Sequence, residues 1–172
     1  MSTRTQAPTS HASSGGVMHY GEHNYEAERG DPYQATGKYR QPVTCSGCGV
    51  VFNGGRWTWG TAPAGAAAAT CPACRRIHDK LPAGTVVVEG PFVAPHREDL
   101  VNLIRNEAER ESREHPLNRL MELRELPDRL DVATTDIHLP RRIGTALKRA
   151  YDGELDVRFG DNEYSVRVVW HR

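Results

Sequence analysis

CSGCGVVFNGGRWTWG (Cys45–Gly60) and ATCPACRR (Ala69–Arg76) hold all four cysteines of this 172-residue chain. The spacing is Cys45-x2-Cys48, then 22 residues, then Cys71-x2-Cys74. Two residues between cysteines let both sulfurs of a tight turn face one point, and two such turns supply a tetrahedral four-sulfur shell. Gly47 and Gly49 flank Cys48, so backbone N–H groups can approach the thiolates, and Pro72 pre-sets the second turn. The pattern predicts a small zinc ribbon with one structural Zn²⁺ on Cys45, Cys48, Cys71 and Cys74. A four-sulfur iron site is the chemical alternative. Four thiolates leave no open position for a catalytic water. A redox pair would need a Cys-x-x-Cys opening a helix within a βαβ frame, a context not read at either pair. A thiol sensor that ejects zinc on oxidation is a weaker option. His78, four residues after Cys74, reads as a surface residue.

Inside the ribbon, VVFNGGRWTWG predicts a hairpin turning at Asn53-Gly54-Gly55, with Trp57 and Trp59 on one face of its second strand. The tryptophans either cover a thin core or offer a stacking platform, with Arg56, Arg75 and Arg76 as phosphate ligands. Ala62–Ala69 reads as a plain loop or an adaptable hairpin tip. A module this small depends on its metal for stability.

Outward from the ribbon, the chain reads as α+β: a disordered N-terminal tail, the ribbon, a helix, then a compact ββαββ unit. Residues 1–40 are rich in Ser, Thr, Gly, His and Pro, and form the expected tail. Its tyrosines, Tyr20, Tyr25, Tyr33 and Tyr39, are either spacers or parts of an arm that orders on a partner. Residues 41–95 form the cysteine module, closing with a strand in AGTVVVEGPFV. A charged linking helix spans 96–116. Its stripe is Leu100, Leu103, Ile104 and Ala108, and Arg105–Glu109, Glu109–Arg113 and Arg110–Glu114 stand at pairing distance. Residues 117–172 hold strands in LMELREL and DRLDVATT, a helix capped by Thr134 or Thr135 and ended by Gly153, and a hairpin around Gly160-Asp161-Asn162.

That last helix is the main functional clue. No acidic residue lies between Ile137 and Tyr151. Ile143, Ala146, Leu147, Ala150 and Tyr151 share one face, while Arg141, Arg142, Thr145, Lys148 and Arg149 share the other. The second face is either a solvated surface paired with neighbouring acids or a phosphate-binding ridge. Lys+Arg and Asp+Glu are 22 each, which excludes a generic polycation but not a local patch. Residues 41–95 carry 4 basic and 2 acidic groups, 96–130 carry 7 and 9, and 131–172 carry 7 of each.

Mean hydropathy is −0.62. No apolar run reaches the roughly 18 residues of a membrane span, and MSTRTQAPTSHASSGG lacks the apolar core of a signal peptide. A cytoplasmic, bacterial-type protein is expected. There is no G-x-S-x-G, Walker loop or H-E-x-x-H, and the glycine pattern that would make GKYR a phosphate loop is missing.

The pattern C-x-x-C-G…G-R-W-x-W…C-P-x-C-R-R, followed by TTDIHLPRRIGTALKRAYDGELDVRFGDNEYSVRVVW, resembles a family of small bacterial zinc-ribbon proteins. More loosely, it is similar to the zinc-ribbon region of the archaeal and eukaryotic adaptor for nuclear export of the large ribosomal subunit. The resemblance covers about residues 41–172. It implies binding to the ribosome or structured RNA without catalysis. The adaptor has two or more knuckle sets and further domains, whereas this chain has one set. The expected function is therefore a non-enzymatic, RNA-binding, ribosome-associated protein without membrane or small-molecule substrate. The alternative is a protein–protein adaptor or transcription-associated factor, contacting its partner through the tail or helix 96–115.

Overall fold

The computed structural model describes residues 30–33, 39, 42–161 and 164–172. The fold is α+β, with two mixed sheets and three helices among these residues. The first sheet has four three-residue strands, β1 (Val43–Cys45), β2 (Val51–Asn53), β3 (Arg56–Thr58) and β4 (Ala67–Ala69), in the order β3-β2-β1-β4. The expected hairpin joins β2 to β3, with Asn53 opposite Arg56 and positive φ at Gly54 and Gly55, as a two-residue hairpin turn requires. Ala67–Ala69, expected as loop, instead pairs in parallel with β1. Extended backbone there delivers the chain to Cys71, which caps helix α1 (Pro72–Asp79).

The second sheet has five strands, β5 (Gly84–Glu89), β6 (Leu120–Leu126), β7 (Arg129–Thr134), β8 (Glu154–Phe159) and β9 (Val166–His171), in the order β6-β7-β5-β9-β8. The two strands expected around Pro127-Asp128 form and pair antiparallel as β6–β7, and the predicted hairpin β8–β9 forms. Strand β5, read from sequence as the end of the cysteine module, is the centre of this sheet. It runs antiparallel to β7 and parallel to β9. The ββαββ unit is thus completed by a strand and a helix that precede it.

Helix α2 (Val93–Glu114) starts three residues before the expected 96 and is kinked at His96, next to Pro95. Helix α3 (His138–Tyr151) packs on α2 and crosses β5, β9 and β8. Both helices contribute to one core: Leu100, Ile104 and Ala108 from α2, Leu139, Ile143 and Leu147 from α3, and Val86, Val88, Leu130, Val132, Val168 and Trp170 from the sheet. Gly144 lets α3 lie close to the sheet, whereas Ala150, on the expected apolar face, is exposed. A Cβ there would sit 2.7 Å from Val168 Cγ1 and 2.8 Å from Leu155 Cδ1.

The α3 cap also differs from expectation. Asp136 Oδ1 accepts the N–H groups of His138 (2.7 Å) and Leu139 (2.8 Å), satisfying two orphan donors of the first turn. Thr134 and Thr135 donate instead to the carbonyls of Asp136 and Leu117. Among the described residues no helix is long and apolar enough to cross a membrane.

Candidate metal centre and cationic groove

Strand β1 ends at Cys45, and the turn at residues 46–48 brings Cys48 back beside it, with Gly49 N–H donating to Cys45 O (2.9 Å). Strand β4 and the start of α1 supply Cys71 and Cys74. The four sulfurs lie within 4.8 Å of one another, so Cys45, Cys48, Cys71 and Cys74 could hold one metal ion. Cys45 and Cys71 are buried, and Cys48 and Cys74 half-buried. His78 is exposed and bonded to Asp79, away from the cluster. The second pair does open a helix, contrary to the sequence reading. The gathering of all four sulfurs still sets it apart from an isolated redox pair.

Backbone donors prepare the sulfurs for negative charge. Cys71 N–H donates to Cys45 Sγ (3.2 Å), and Cys74 N–H to Cys71 Sγ (3.4 Å). A Cβ on Gly47 would stand 3.2 Å from Cys74 Sγ, so that turn admits little more than glycine. Burial opposes the Cys45 thiolate, but the N–H groups of Cys71, Gly47 and Cys48 outweigh it and bring its pKa down to about 6. Burial dominates at Cys71 and Cys74 and pushes their thiols up, so an ion would displace protons on binding.

One residue of the site is not visible in the cysteine motif. Arg119, immediately before β6, donates from Nη2 to Cys48 Sγ (3.1 Å) and from Nη1 to Cys74 Sγ (3.7 Å). Burial works against its charge, yet the Cys48 hydrogen bond and the Cys48, Cys71 and Cys74 charges raise its pKa. Its backbone is fixed by Thr135, whose Oγ1 accepts Arg119 N–H (2.8 Å). The five-stranded sheet thus supplies a cation to the centre held by the four-stranded one.

The two tryptophans part company. Trp57 packs in the ribbon against Phe52 and Tyr39. Trp59 is 45% exposed and reaches α2, donating Nε1–H to Ser112 O (2.6 Å), with the Arg119 guanidinium 5.2 Å from its ring. Arg56 is exposed. Arg76 is buried, pairing with Asp31 at 2.5 Å, donating to Leu81 O and lying over the Tyr33 ring. Arg75 donates to Tyr33 O (3.0 Å), and Tyr33 OH donates to Asp79 (2.8 Å). Part of the expected tail, residues 30–33, is therefore docked on α1, and Tyr39 on the ribbon. The rest of it, including Tyr20 and Tyr25, lies outside the described residues. Arg75 and Arg76 hold this strap; neither is presented as a loose phosphate ligand.

The α3 ridge borders a groove of about 1250 Å³ between α2, α3 and β8. Arg110, Arg141, Arg142, Lys148 and Arg149 line it over a floor of Leu103, Ala146, Leu155 and Val157; among the described residues Glu107 is its one carboxylate. The ridge is only partly available. Arg142 is held by Glu111 (2.5 Å) and Glu107 (3.1 Å), acids that α2 brings across. Hydrogen bonding to Glu107 raises its pKa, against a small cost of burial. Arg110 also pairs with Glu107, Arg141 lies 5.6 Å over Phe159, and Lys148 reaches Gly153 O at 3.4 Å. Arg149 is exposed. Of the pairs expected on α2, Glu109–Arg113 forms at 2.5 Å.

Compared with protein-family models, curated proteins and solved structures, the chain gives no significant match to any of the three.

Proposed function

We propose that this chain is a non-enzymatic zinc-ribbon protein that binds structured RNA, with ribosomal RNA as the first candidate. The observation that carries the reading is the groove between α2, α3 and β8, where, among the described residues, five cations and one carboxylate surround an apolar floor. Phosphates would meet Lys148 and Arg149, joined by Arg110 and Arg141 in exchange for their present contacts, while Arg142, held by two acids of α2, sets the ridge in place. The apolar floor suits sugar and base surfaces better than it suits bulk water. Arg56 and the exposed face of Trp59 are a secondary contact region, separate from the groove.

Zinc is the ion the donor set favours. On a tetrahedron with metal–sulfur bonds of about 2.3 Å the sulfurs sit roughly 3.8 Å apart. Cys48 and Cys71 are 3.7 Å apart. The role assigned to zinc is structural, because all four positions are filled by thiolates and none is left for substrate.

Filter binding of a ribosomal RNA fragment across a salt series tests the reading. Charge reversal at Arg141, Lys148 and Arg149 together should abolish binding at moderate salt. The wild-type slope of log affinity against log salt should be about −2 to −4, set by that number of phosphate contacts. Undiminished binding by the triple variant would remove the groove from the RNA interface.

A further inference from the structure

A second cavity, of about 440 Å³, lies where α1, the C-terminal end of α2 and the N-terminal end of α3 meet. We propose that it binds a small organic cation carrying N–H donors, an ammonium or guanidinium group, on the carboxylate of Asp136. The proposal does not depend on RNA binding.

Asp136 is only 3% exposed. Its Oδ1 is taken by the N–H groups of His138 and Leu139, whereas its Oδ2 is buried with no hydrogen-bond partner. Buried carboxylate oxygens in folded proteins nearly always find a donor, because leaving one unmade is expensive. Burial pushes the Asp136 pKa up to about 6, partly offset by the N–H groups of Leu139 and His138 and by the His138 side chain. A bound cation would relieve that penalty.

The charges around the cavity fix the sign of its ligand. Asp31 is neutralised by Arg76 (2.5 Å). Glu111 is neutralised by Arg142 (2.5 Å) and also accepts from Asn118 Nδ2 (2.9 Å). Asp136 is the acid without a guanidinium, with His138 as its nearby basic group, and among the described lining residues an anionic ligand would meet three carboxylates, one occupied guanidinium and the His115 and His138 imidazoles. The positive end of α3, which might otherwise hold an anion, already has one in Asp136 itself. A metal ion is disfavoured by geometry. Among the described residues only the four cysteines bring three or more ligand atoms close enough to share an ion. What fits is a ligand that brings its own N–H donors, with the Tyr164 ring in the cavity wall offering a π face. The volume lies within the range of small-molecule sites.

The test uses the full, metal-loaded chain, titrated with agmatine and followed by amide NMR, with glutarate as the anionic control. Agmatine should give saturable shifts at His138, Leu139 and Tyr164, and glutarate none. Asp136→Asn keeps the cap acceptor and removes the charge. It should weaken agmatine roughly ten- to a hundredfold, the worth of a hydrogen bond to a charged group. No saturable shift, or equal affinity in the variant, would overturn the proposal. If the variant does not fold, a crystal of the wild-type chain with agmatine decides. A ligand nitrogen within hydrogen-bond distance of Asp136 Oδ2 supports the site; a water there, or an adventitious additive only, sinks it.

Discussion

The four-stranded sheet buries Cys45, Val50, Cys71 and Ala73, whereas the five-stranded sheet and its two helices bury a continuous cluster from Ala83 to Trp170. Two of the four residues in that cluster are themselves candidate metal ligands, and the other buried strand residues, Val43 and Val51, add only two valine side chains. Its strands are three residues long. Such a sheet has too little apolar surface to offset the entropy of ordering its chain. The larger sheet has strands of six or seven residues and a core of Leu, Ile, Val and Trp. Hydrophobic burial can hold the second region alone; the first would be held by a metal at its four sulfurs.

Metal removal is the strongest way to break this contrast. A tight chelator should abolish amide protection across residues 43–79 and leave β5, β7 and β9 protected, read by hydrogen exchange. The ribbon would forfeit on the order of 10 kcal/mol of metal-binding energy that serves as its folding energy. Equal loss of protection in both sheets would mean that they form one cooperative unit, and the contrast would fail.

Acid should separate the regions in opposite directions. The ribbon's ligands must be deprotonated to hold a metal, so falling pH weakens it. Asp136, at the seam, does the reverse. Burial raises its folded pKa to about 6, above the usual carboxylate value. The folded chain therefore binds this proton more tightly than the unfolded chain does. From this group, stability rises as pH falls from above 6 towards 4, and the gain is absent at pH 7. The group is almost fully buried, so the gain is on the order of 2 kcal/mol. Urea midpoints of the five-stranded sheet at pH 7 and pH 5 check the sign. Asp136→Asn should flatten the difference, in a setting where His138, Glu111 and Tyr164 are the titratable neighbours.

The same contrast explains which parts of the molecule were legible in the sequence. Local patterns carried through: the Cys-x-x-Cys pairs, the Asn-Gly-Gly hairpin, β8–β9 with its alternating Val166, Val168 and Trp170, and the apolar stripe of α2. Long-range pairing did not. Nothing in GTVVVE announces that Val86 will face Val168, 82 positions away, rather than the ribbon. Strand β4 is three alanines, whose weak strand preference is overridden by pairing with β1. The α3 ridge looked acid-free because its acids sit on α2, at Glu107 and Glu111. The need for Gly144 has no local signal, because it comes from Val168 and Leu155 of the sheet beneath it. Arg119 had no local signal, since it meets Cys48 across 71 positions of chain.

Arg119 is where the contrast can be sharpened most finely, because it belongs to one region by backbone and to the other by side chain. Its guanidinium spans Cys48 and Cys74 and lies against Trp59, while Nε–H donates to Pro116 O at 2.5 Å. Arg119→Lys keeps the charge but replaces a planar fork with a point charge, which cannot reach both sulfurs and face the indole together. The expected cost is about 1 kcal/mol, the scale of one hydrogen bond of this kind. It should appear as several-fold faster metal transfer to a competing chelator and a shift in Trp59 emission. The urea midpoint of the five-stranded sheet should not move, because the backbone bonds of Arg119 to Thr135 are kept. Unchanged metal transfer with a shifted Trp59 would make Arg119 a clamp between the sheets and not a tuner of the sulfurs. A fall in the larger sheet's midpoint would show that the ribbon supports that sheet, and the two regions would no longer count as separately held.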